Sequence, residues 1–463
     1  MLSYWSVPAC GLAVLSFLRL TRLQPSSALA AALLVLPFAA APAIGCALGA
    51  LLATRHRPRP ADGAGSLVIG ADSQSRPVAI PLGQTSGSHA LIVGATGSGK
   101  TVTQALIVAR AIERGLGAVI VDPKGDRLLR ERARDAAQLA GRPFIEWTPS
   151  GPSAYNPYAH GSPGEIADKA LAGERYTEPH YLRQAQRYLG HAARALAAAG
   201  QCATPARLLE LMDPRRLELL ARAVPDEARA QLVFDYLDTL DARQRSGLAG
   251  TRDRLAILAE SELAPWLHPS DGVPALDLLE AVRGRAVTYF GLEADRLPLL
   301  SRMLAAAIVG DLLAIAASCQ ARPVPTMVAI DEFSAIAPEG VARLFGRARA
   351  AGFSLLLATQ ELADLRAVAP ELLEQVLGNV ETVVAHRQSV PDSAELIARI
   401  AGTRPAWSST EQVSHAIPTG QGSRSRSREF AIHPDVIRTL QCGTAAVSVA
   451  SSGQCAVARI FHP

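Results

Sequence analysis

The sequence has little lysine, few aromatic residues and no paired-cysteine motif. Only three of its 46 basic residues are lysines, namely Lys100, Lys124 and Lys169. Aromatic residues make up 5% of the 463 residues, so the cores must be built mainly from Ala, Leu and Val. The six cysteines include no C-x-x-C pair, which argues against a zinc or dithiol redox site and indicates reduced or buried thiols in a cytosolic body.

A strong net charge is also absent. The formal net charge is +4, which excludes a uniformly polycationic protein, so any nucleic-acid surface must be local. Arginine supplies positive charge almost everywhere in this chain. A lysine therefore marks a place where a compact ammonium on a flexible stem suits the chemistry better than a planar guanidinium.

Two uncharged apolar stretches lie near the start of the chain, at residues 7–18 and 26–53. The second is long enough to span a bilayer, whereas the first is also short enough for the apolar part of a signal peptide. Arg55, Arg57 and Arg59 follow, and positive charge beside a span marks the cytoplasmic side. We therefore expect residues 1–54 to form a membrane anchor of one or two transmembrane helices.

A phosphate-binding loop follows an apolar strand sequence, because residues 94–101 fit G-x-x-x-x-G-K-[ST]. The glycines let successive N–H groups point at phosphates, Lys100 reaches the β and γ oxygens, and the Thr101 hydroxyl can ligate Mg²⁺. The helix that begins at the loop directs its positive dipole end at the anion. We expect ATP and Mg²⁺ as cofactors, held by Gly94, Ala95, Thr96, Gly97, Ser98, Gly99, Lys100 and Thr101.

Short apolar runs separated by helical stretches occur on both sides of a long helical region. Such runs are typical of a parallel sheet buried on both faces. They are "ALIVG", "GAVIVD", "PFIEW", "RAVTYFGL", "PTMVAID", "SLLLATQ" and "VETVVAHR", and "LVIGADSQSRPVAIPLG" before them predicts a hairpin. The intervening residues have helical spacing and few β-branched runs. We interpret the chain as a linker (55–65), an α/β ATPase domain in two parts (66–160 and 283–463) and a nested all-α domain (161–282).

Two carboxylates end the strand "PTMVAID". We assign Asp331 to Mg²⁺, through water, and Glu332 to the attacking water, since a P-loop enzyme needs both functions at such a strand end. An ordinary solvated acidic strand end is the alternative. Gln360 ends the next strand, where an amide can sense the γ-phosphate or position water, and a helix cap is the alternative.

Arginines near these strands are candidates for a charge supplied across a subunit boundary. Arg349 precedes the strand that carries Gln360, and we assign it as an arginine finger for the ATP of a neighbouring subunit. Arg347 and Arg387 are rivals for this role, and a surface guanidinium is the alternative. In "VIVDPKGD", Asp122, Lys124 and Asp126 lie at the carboxyl end of a predicted strand. They could contact the nucleotide or a subunit interface, and a structural turn is the alternative.

The polar segment 408–430 contains a serine–arginine run with Arg424, Arg426 and Arg428. These arginines suit phosphate contacts, but the low complexity favours a mobile solvated loop. The sequence shows no aromatic-rich strand face on which bases would stack. Any DNA contact is therefore predicted to be electrostatic.

With these residues in place, the chain resembles the type IV secretion coupling proteins, the TraG/TraD/TrwB family of conjugative ATPases, which are relatives of the FtsK and HerA translocases. The resemblance covers nearly the whole length. It rests on "SHALIVGATGSGKT", "VIVDPKGD", "AYNPYA", "VAIDEFSAIAP", "GRARAAGFSLLLATQ", "GNVETVVAHRQSVPDSAELIARIAG" and "HPDVIRTLQCGTAAVSV".

The resemblance implies a RecA-like P-loop NTPase domain with a nested all-α domain, preceded by transmembrane helices in the bacterial inner membrane. It implies a homo-hexameric ring whose cytoplasmic ATPase delivers single-stranded DNA with an attached relaxase, or proteins, to a type IV secretion channel. The positions that match the family's nucleotide site are Lys100, Thr101, Asp331, Glu332, Gln360 and Arg349.

Three functions remain open at this point. The first is a motor for DNA, the second is export of protein effectors only, and the third is a membrane docking receptor that ATP binding assembles without motor work. The acidic pair and Gln360 argue against the third, because a scaffold does not need them. A chromosome translocase is disfavoured since no DNA-reading winged-helix module follows the ATPase.

Overall fold

The computed structural model describes residues 65–82, 87–173, 176, 178–269, 272–414 and 417–463, of which residues 411–414 and 417–421 are described only by their backbone. The predicted membrane anchor and all but the last residue of the predicted linker lie outside the described residues. Asp62–Pro463 form one compact unit.

The strands agree closely with the apolar runs in the sequence, including the hairpin before the first buried strand. In chain order they are β1 Ser66–Ala71, β2 Pro77–Pro81, β3 Ala90–Val93, β4 Gly117–Asp122, β5 Phe144–Trp147, β6 Ala154–Tyr155, β7 Ala275–Leu276, β8 Val287–Gly291, β9 Thr326–Ile330, β10 Phe353–Thr359, β11 Thr382–Ala385, β12 Thr403–Ser414, β13 Ile417–Phe430, β14 Thr444–Val449 and β15 Gln454–Ile460.

Helices connect most of these strands. They are α1 Lys100–Glu113, α2 Arg127–Leu139, α3 Pro163–Leu171, α4 Pro179–Ala198, α5 Pro205–Glu210, α6 Pro214–Arg222, α7 Glu227–Asp238, α8 Ala242–Gly247, α9 Ala249–Ala259, α10 Leu278–Arg283, α11 Pro298–Cys319, α12 Phe333–Ile336, α13 Pro338–Ala351, α14 Leu362–Val368, α15 Leu372–Asn379, α16 Pro391–Ala401 and α17 Pro434–Arg438.

One large sheet organises the protein, with strand order β2-β1-β15-β14-β11-β3-β10-β9-β4-β8-β5. The seven strands from β11 to β5 pair in parallel, and the other four pair antiparallel. The predicted parallel core is therefore confirmed. Because the strands are parallel, the residues that follow β3, β9, β10 and β11 all lie at one carboxyl edge.

The parallel strands are buried on both faces, as their continuous apolar sequences predict. In β3, Leu91 and Val93 belong to the core on one face, whereas Ala90 and Ile92 belong to the core on the other. Among the described residues one helix, α11, has the length and hydropathy of a membrane span. It is 72% buried and packs within the first of these cores, so its apolar sequence is explained by the core.

The chain between β6 and β7 contains helices α3 to α9 with a core of their own, which includes Tyr188, Leu196 and Leu217. Ser, Thr or Asp side chains cap most of these helices, and Pro follows the cap in several of them. Residues 263–282 behave differently, since Leu263 and Leu278 pack into the sheet core and β7 pairs in parallel with β6. We keep the nested all-α domain as our interpretation, with its own core ending near Ala259.

Residues 403–414 and 417–430 form a long two-stranded ribbon, β12 and β13, that pairs with no other described strand. The sequence favoured a mobile solvated loop here, and the structure differs. The difference has a physical reason. Ser and Arg alternate in β13 and β12 is also largely polar, so neither strand shows the alternation of apolar and polar residues by which hydropathy identifies a strand.

Candidate nucleotide-binding site

The predicted phosphate-binding loop joins β3 to α1 with the backbone that the motif requires. Gly97 and Gly99 have φ values of 74° and 109°, in the left-handed region that favours glycine. A Cβ on Gly94 would lie 2.6 Å from Ser98 Oγ and 2.7 Å from His386 Cβ, so a side chain does not fit there. The 14-residue helix α1 begins at Lys100, which places its free N-terminal amides against the loop. The loop can therefore cradle phosphates.

The acidic pair at the end of β9 lies directly beside Lys100. The Lys100 Nζ atom is 2.6 Å from Glu332 Oε1 and 3.5 Å from Asp331 Oδ1. All three side chains are largely buried. In the sheet, β3 and β9 are separated only by β10, so their carboxyl ends lie near each other. This proximity follows from the strand order and is not visible in the sequence.

Glu332 is held by donors from three further elements of the site. Lys124 Nζ lies 3.0 Å and Gln360 Nε2 lies 2.9 Å from the same Oε1 atom. Burial alone would raise the pKa of Glu332, but the hydrogen bonds from Lys100, Gln360 and Lys124 outweigh it and lower that pKa. The residue also has a φ of 45°, a strained conformation for a non-glycine residue that costs about 1 kcal/mol or more. The carboxylate is thus kept ionised and oriented at the strand end.

Asp331 differs from its neighbour because one of its oxygens has no donor. Its Oδ1 atom is buried and accepts no hydrogen bond among the described residues. Burial raises the pKa of Asp331 to about 6, against the opposing charge of Lys100. A buried carboxylate oxygen that accepts no hydrogen bond and has Lys100 as its ion-pair partner at 3.5 Å, together with the partly buried Thr101 hydroxyl, supplies the kind of oxygen donors that Mg²⁺ prefers. These residues fit the predicted metal.

Gln360 links the loop to the acidic pair. The Thr96 hydroxyl donates to its Oε1 atom at 3.3 Å, while its amide donates to Glu332. Glu361, the next residue, caps α14 through its own side chain, so Gln360 is not needed as a helix cap. The amide therefore contacts both the loop and Glu332.

The sequence missed His386, which follows β11 directly and contacts the loop. Its Nδ1 faces the Thr444 carbonyl at 2.9 Å and must donate, so Nε2 accepts from the Thr103 hydroxyl at 2.8 Å. Burial lowers the pKa of His386 to about 4, helped by the charge of Lys100 and opposed by the Thr444 contact. This neutral imidazole braces α1 and the loop from below. The position of His386 at the end of the apolar run "VVAHR" was a signal that the sequence offered. The sequence did not show that β11 pairs with β3, which is what brings His386 to the loop.

The acidic residues and the lysine of "VIVDPKGD" have different roles at the end of β4. Asp122 is fully buried and accepts from the backbone of Lys124 and Gly125 and from the Tyr289 hydroxyl. Asp126 caps α2. Both acids therefore build the turn, and Lys124 is the residue that the turn delivers to the site.

Arg349 lies at the opposite edge of the sheet from the loop. Its exposed side chain ends α13 and donates from Nε to the Gly87 carbonyl at 3.4 Å, before β3 begins. The strand β10 that follows has seven residues, so the two edges are about 20 Å apart. Arg347 is also exposed on α13, whereas Arg387 lies beside its own loop, because Ala95 N–H donates to its carbonyl at 3.2 Å. Within one protomer Arg349 does not reach Lys100, and its predicted role concerns a neighbouring subunit.

A family model described as the type IV secretion-system coupling protein DNA-binding domain matches residues 77–450. Comparison with curated protein sequences gave no match. Among solved structures, the unbound bacterial conjugative coupling protein TrwB is 18% identical with a TM-score of 0.63, over 85% of this chain and 88% of that one. VirB4 of Thermoanaerobacter pseudethanolicus is 16% identical with a TM-score of 0.55, over 87% of this chain and 98% of that one.

TrwB has also been solved with nucleotides. Its complex with a non-hydrolysable ATP analogue is 17% identical with a TM-score of 0.60, and its complex with ADP and Mg²⁺ is 16% identical with a TM-score of 0.56. They cover 88% and 87% of this chain and 96% of TrwB. The predicted ATP and Mg²⁺ agree with these ligands, and the structural likeness shows a shared α/β fold. Since the family model spans most of the sequence, the chain belongs to the type IV secretion-system coupling proteins.

Proposed function

We propose that this protein is a membrane-anchored ATPase that couples ATP hydrolysis to the delivery of single-stranded DNA, with an attached relaxase, into a type IV secretion channel. It works as a homo-hexameric ring anchored in the bacterial inner membrane by residues 1–54, with its ATPase domain in the cytoplasm. Membership of the coupling-protein family and the match to that family's DNA-binding domain support this cargo.

One observation carries the ATPase part of the proposal. Lys100, Lys124 and Gln360 all donate to a single oxygen of Glu332 at the carboxyl edge of the sheet. A carboxylate that is buried, ionised and oriented beside a phosphate-binding loop is suited to position the attacking water. A receptor that only binds ATP does not need such a group.

Each residue then has a distinct task. Lys100 and the loop amides bind the β and γ oxygens, and those oxygens compete with Glu332 for the Lys100 ammonium. Glu332 accepts a proton from the water, while Gln360 orients that water and couples it to the loop through Thr96. Asp331 and Thr101 hold Mg²⁺, which supplies charge neutralisation at the phosphate oxygens when bound.

The arginine finger comes from the next protomer. Arg349 projects from the amino edge of the sheet, so a ring that packs this edge against the carboxyl edge of a neighbour brings the guanidinium to the neighbour's ATP. This geometry makes hydrolysis depend on assembly.

ATP hydrolysis by the full chain in lipid nanodiscs tests the proposal. We expect single-stranded DNA to stimulate hydrolysis, and the stimulation to weaken as salt rises because the contacts are mainly to phosphates. K100A and E332Q abolish hydrolysis, whereas R222Q on the exposed face of α6 leaves it unchanged. Stimulation by a protein substrate alone would favour effector export, and ATP binding without hydrolysis under every condition would favour the docking receptor.

A further inference from the structure

The ribbon β12–β13 places three arginines and a tryptophan on one face. Register pairs Arg428 with Pro405, Arg426 with Trp407 and Arg424 with Ser409. Directly paired residues lie on the same face of an antiparallel ribbon, and alternate residues along a strand share that face. The arginines are therefore about 7 Å apart in a row along β13, with Trp407 beside them. We call these four residues the arginine face.

The opposite face has a different composition, which confirms the register independently. Ser408 and Ser425 hydroxyls lie 2.9 Å apart, and Thr410 and Ser423 hydroxyls lie 2.7 Å apart. This face is neutral and hydroxyl-rich, with Arg404 paired opposite Glu429 near the base. The positive charge of the ribbon is thus concentrated on one side.

The arginine face is exposed, and none of the side chains that the structure describes forms an ion pair with its arginines. Trp407 is 59% exposed, a large fraction for the largest apolar side chain. The Arg424 guanidinium lies 4.7 Å above its ring. Arg428 donates only to Thr403, and within the part of the chain that the structure describes no carboxylate forms an ion pair with any of these arginines. Exposed aromatic and unpaired guanidinium groups in one row indicate a partner with both phosphates and flat rings.

Both ends of the ribbon lead back to the phosphate-binding loop. On the β11 side, the Arg387 carbonyl accepts from the Ala95 N–H at 3.2 Å, 15 residues before Gly402. On the β14 side, Gly443 N–H donates to the Ser98 carbonyl at 3.1 Å. At the base of the ribbon, Ala431 N–H donates to the Gly402 carbonyl. The ribbon is thus joined at both ends to segments that contact the loop, residues 387–402, which include α16, and residues 431–443, which include α17. We call these two segments the arms.

We propose that the arginine face is a contact surface for single-stranded DNA, with a base stacked on Trp407 and phosphates bound by Arg424 and Arg426. The inference rests on the proposed DNA cargo and adds the site. It differs from the purely electrostatic contact predicted from the sequence, because it adds Trp407 as a stacking platform. In this proposal, a movement of the phosphate-binding loop on nucleotide binding moves the ribbon through the two arms. The DNA strand bound to the ribbon is then displaced.

Binding of a fluorescent oligo-dT to the full chain in nanodiscs tests this site. We expect W407A to weaken binding about 10-fold or more and W407F to retain most of it, because stacking on an aromatic ring supplies about 1–3 kcal/mol per base. In R424Q/R426Q the slope of log K against log salt falls by about 1.4, since each single-strand phosphate contact contributes about 0.7. R404Q, an exposed arginine on the opposite face, is the matched control and leaves affinity and slope unchanged.

Two further measurements separate the possible results. With an abasic oligonucleotide, W407A and wild type should bind equally, because only stacking is lost. Nucleotide binding and thermal melting should be the same in all ribbon variants, as these side chains are exposed. If wild type binds DNA and W407A and R424Q/R426Q match it, the ribbon site is overturned while the proposed cargo stands. If wild type binds no single-stranded DNA, both the ribbon site and the proposed DNA cargo fail. If R424Q/R426Q loses binding to anionic vesicles but keeps binding to DNA, the arginine face is a lipid-binding surface and the proposed DNA site is overturned.

Discussion

At the scale of single residues, Glu332 accepts from three donors that come from three different strand ends. Lys124 and Gln360 both lie outside the phosphate-binding-loop motif, and Lys124 is the charged donor of the two. Its ammonium is partly exposed, and burial opposes its charge, but the hydrogen bond to Glu332 raises the pKa of Lys124 above the ordinary lysine value. It stays charged at any physiological pH and acts on Glu332 rather than on the loop.

Replacing Lys124 should therefore impair hydrolysis more than binding. In K124A we expect kcat for ATP to fall about 10- to 100-fold, because the carboxylate loses part of its orientation, while the Kd for ATP changes little. R127A removes an exposed arginine that pairs only with Glu131 and should leave both values unchanged. Steady-state hydrolysis and equilibrium ATP binding measure the two effects. A parallel loss of kcat and affinity would instead place Lys124 in ground-state binding.

The sequence predicted the residues of this site better than their contacts. The loop motif and the strand end with Asp331 and Glu332 carry local signals, and their spacing identifies the chemistry. Lys124 was noticed because lysine is rare here, but its partner was not, and His386 was missed. Both depend on which strands are neighbours in the sheet, and that order is a property of the folded chain.

His89 gives a prediction on pH. It is buried at the start of β3, its Nδ1 accepts from the Leu355 N–H, and burial with the nearby Arg349 charge lowers the pKa of His89 to about 4. An ordinary unfolded histidine titrates near 6.5, so the unfolded chain binds more protons and stability falls as the pH drops from about 6.5 to 4. In H89N, which keeps an acceptor, the loss of stability between pH 7 and 4.5 should shrink by about 2 kcal/mol. Urea midpoints at pH 7 and 4.5 measure it, with the exposed H268N as control; an unchanged pH dependence in H89N would contradict the assignment.

At the scale of elements, apolar runs and the hairpin pattern predicted nine of the eleven strands of the large sheet, whereas β14 and β15 were not predicted. Helical spacing predicted the helical region that contains α3 to α9. The ribbon was not predicted, since its strands bury little and carry no apolar alternation. The limits of the helical region were also difficult to predict. Leu263 and Leu278 pack on the sheet core, and the sequence does not distinguish that from packing among the helices.

A buried ion pair joins the helical region to the sheet domain. Lys169 of α3 lies 3.0 Å from Asp311 of α11, both side chains are almost fully buried, and the Tyr155 hydroxyl donates to the other Asp311 oxygen at 2.9 Å. K169M leaves a buried carboxylate without its cation and should lower the free energy of unfolding by about 3–5 kcal/mol.

The pair can be distinguished from a general effect of the substitution. K169M/D311N removes both charges and should recover part of the loss. R222M breaks an exposed pair with Glu218 and should cost less than about 1 kcal/mol. Chemical unfolding of the three variants measures these differences. Equal stability of K169M and R222M would show that the buried pair contributes nothing to the junction.

At the scale of the whole molecule, the account requires protomers that complete one another's sites. K100A and R349A should each be inactive, yet a mixture of the two should recover hydrolysis. An ATP site is intact where one subunit supplies Lys100 and its neighbour supplies Arg349. In randomly mixed rings about a quarter of the interfaces have this arrangement. R387A is the informative comparison, because Arg387 lies beside its own loop and should not complement K100A. If the mixture of K100A and R349A does not recover hydrolysis, the assignment of Arg349 as an arginine finger is wrong.

Movement along DNA is the central claim, and run-off from single strands tests it most directly. The full chain in nanodiscs is loaded on oligonucleotides of graded length that carry a fluorophore at one end, and ATP is added in a stopped-flow instrument. We expect a lag before the fluorescence change that grows linearly with oligonucleotide length and is absent in E332Q. Hydrolysis of ATP with a lag that does not depend on length would contradict it.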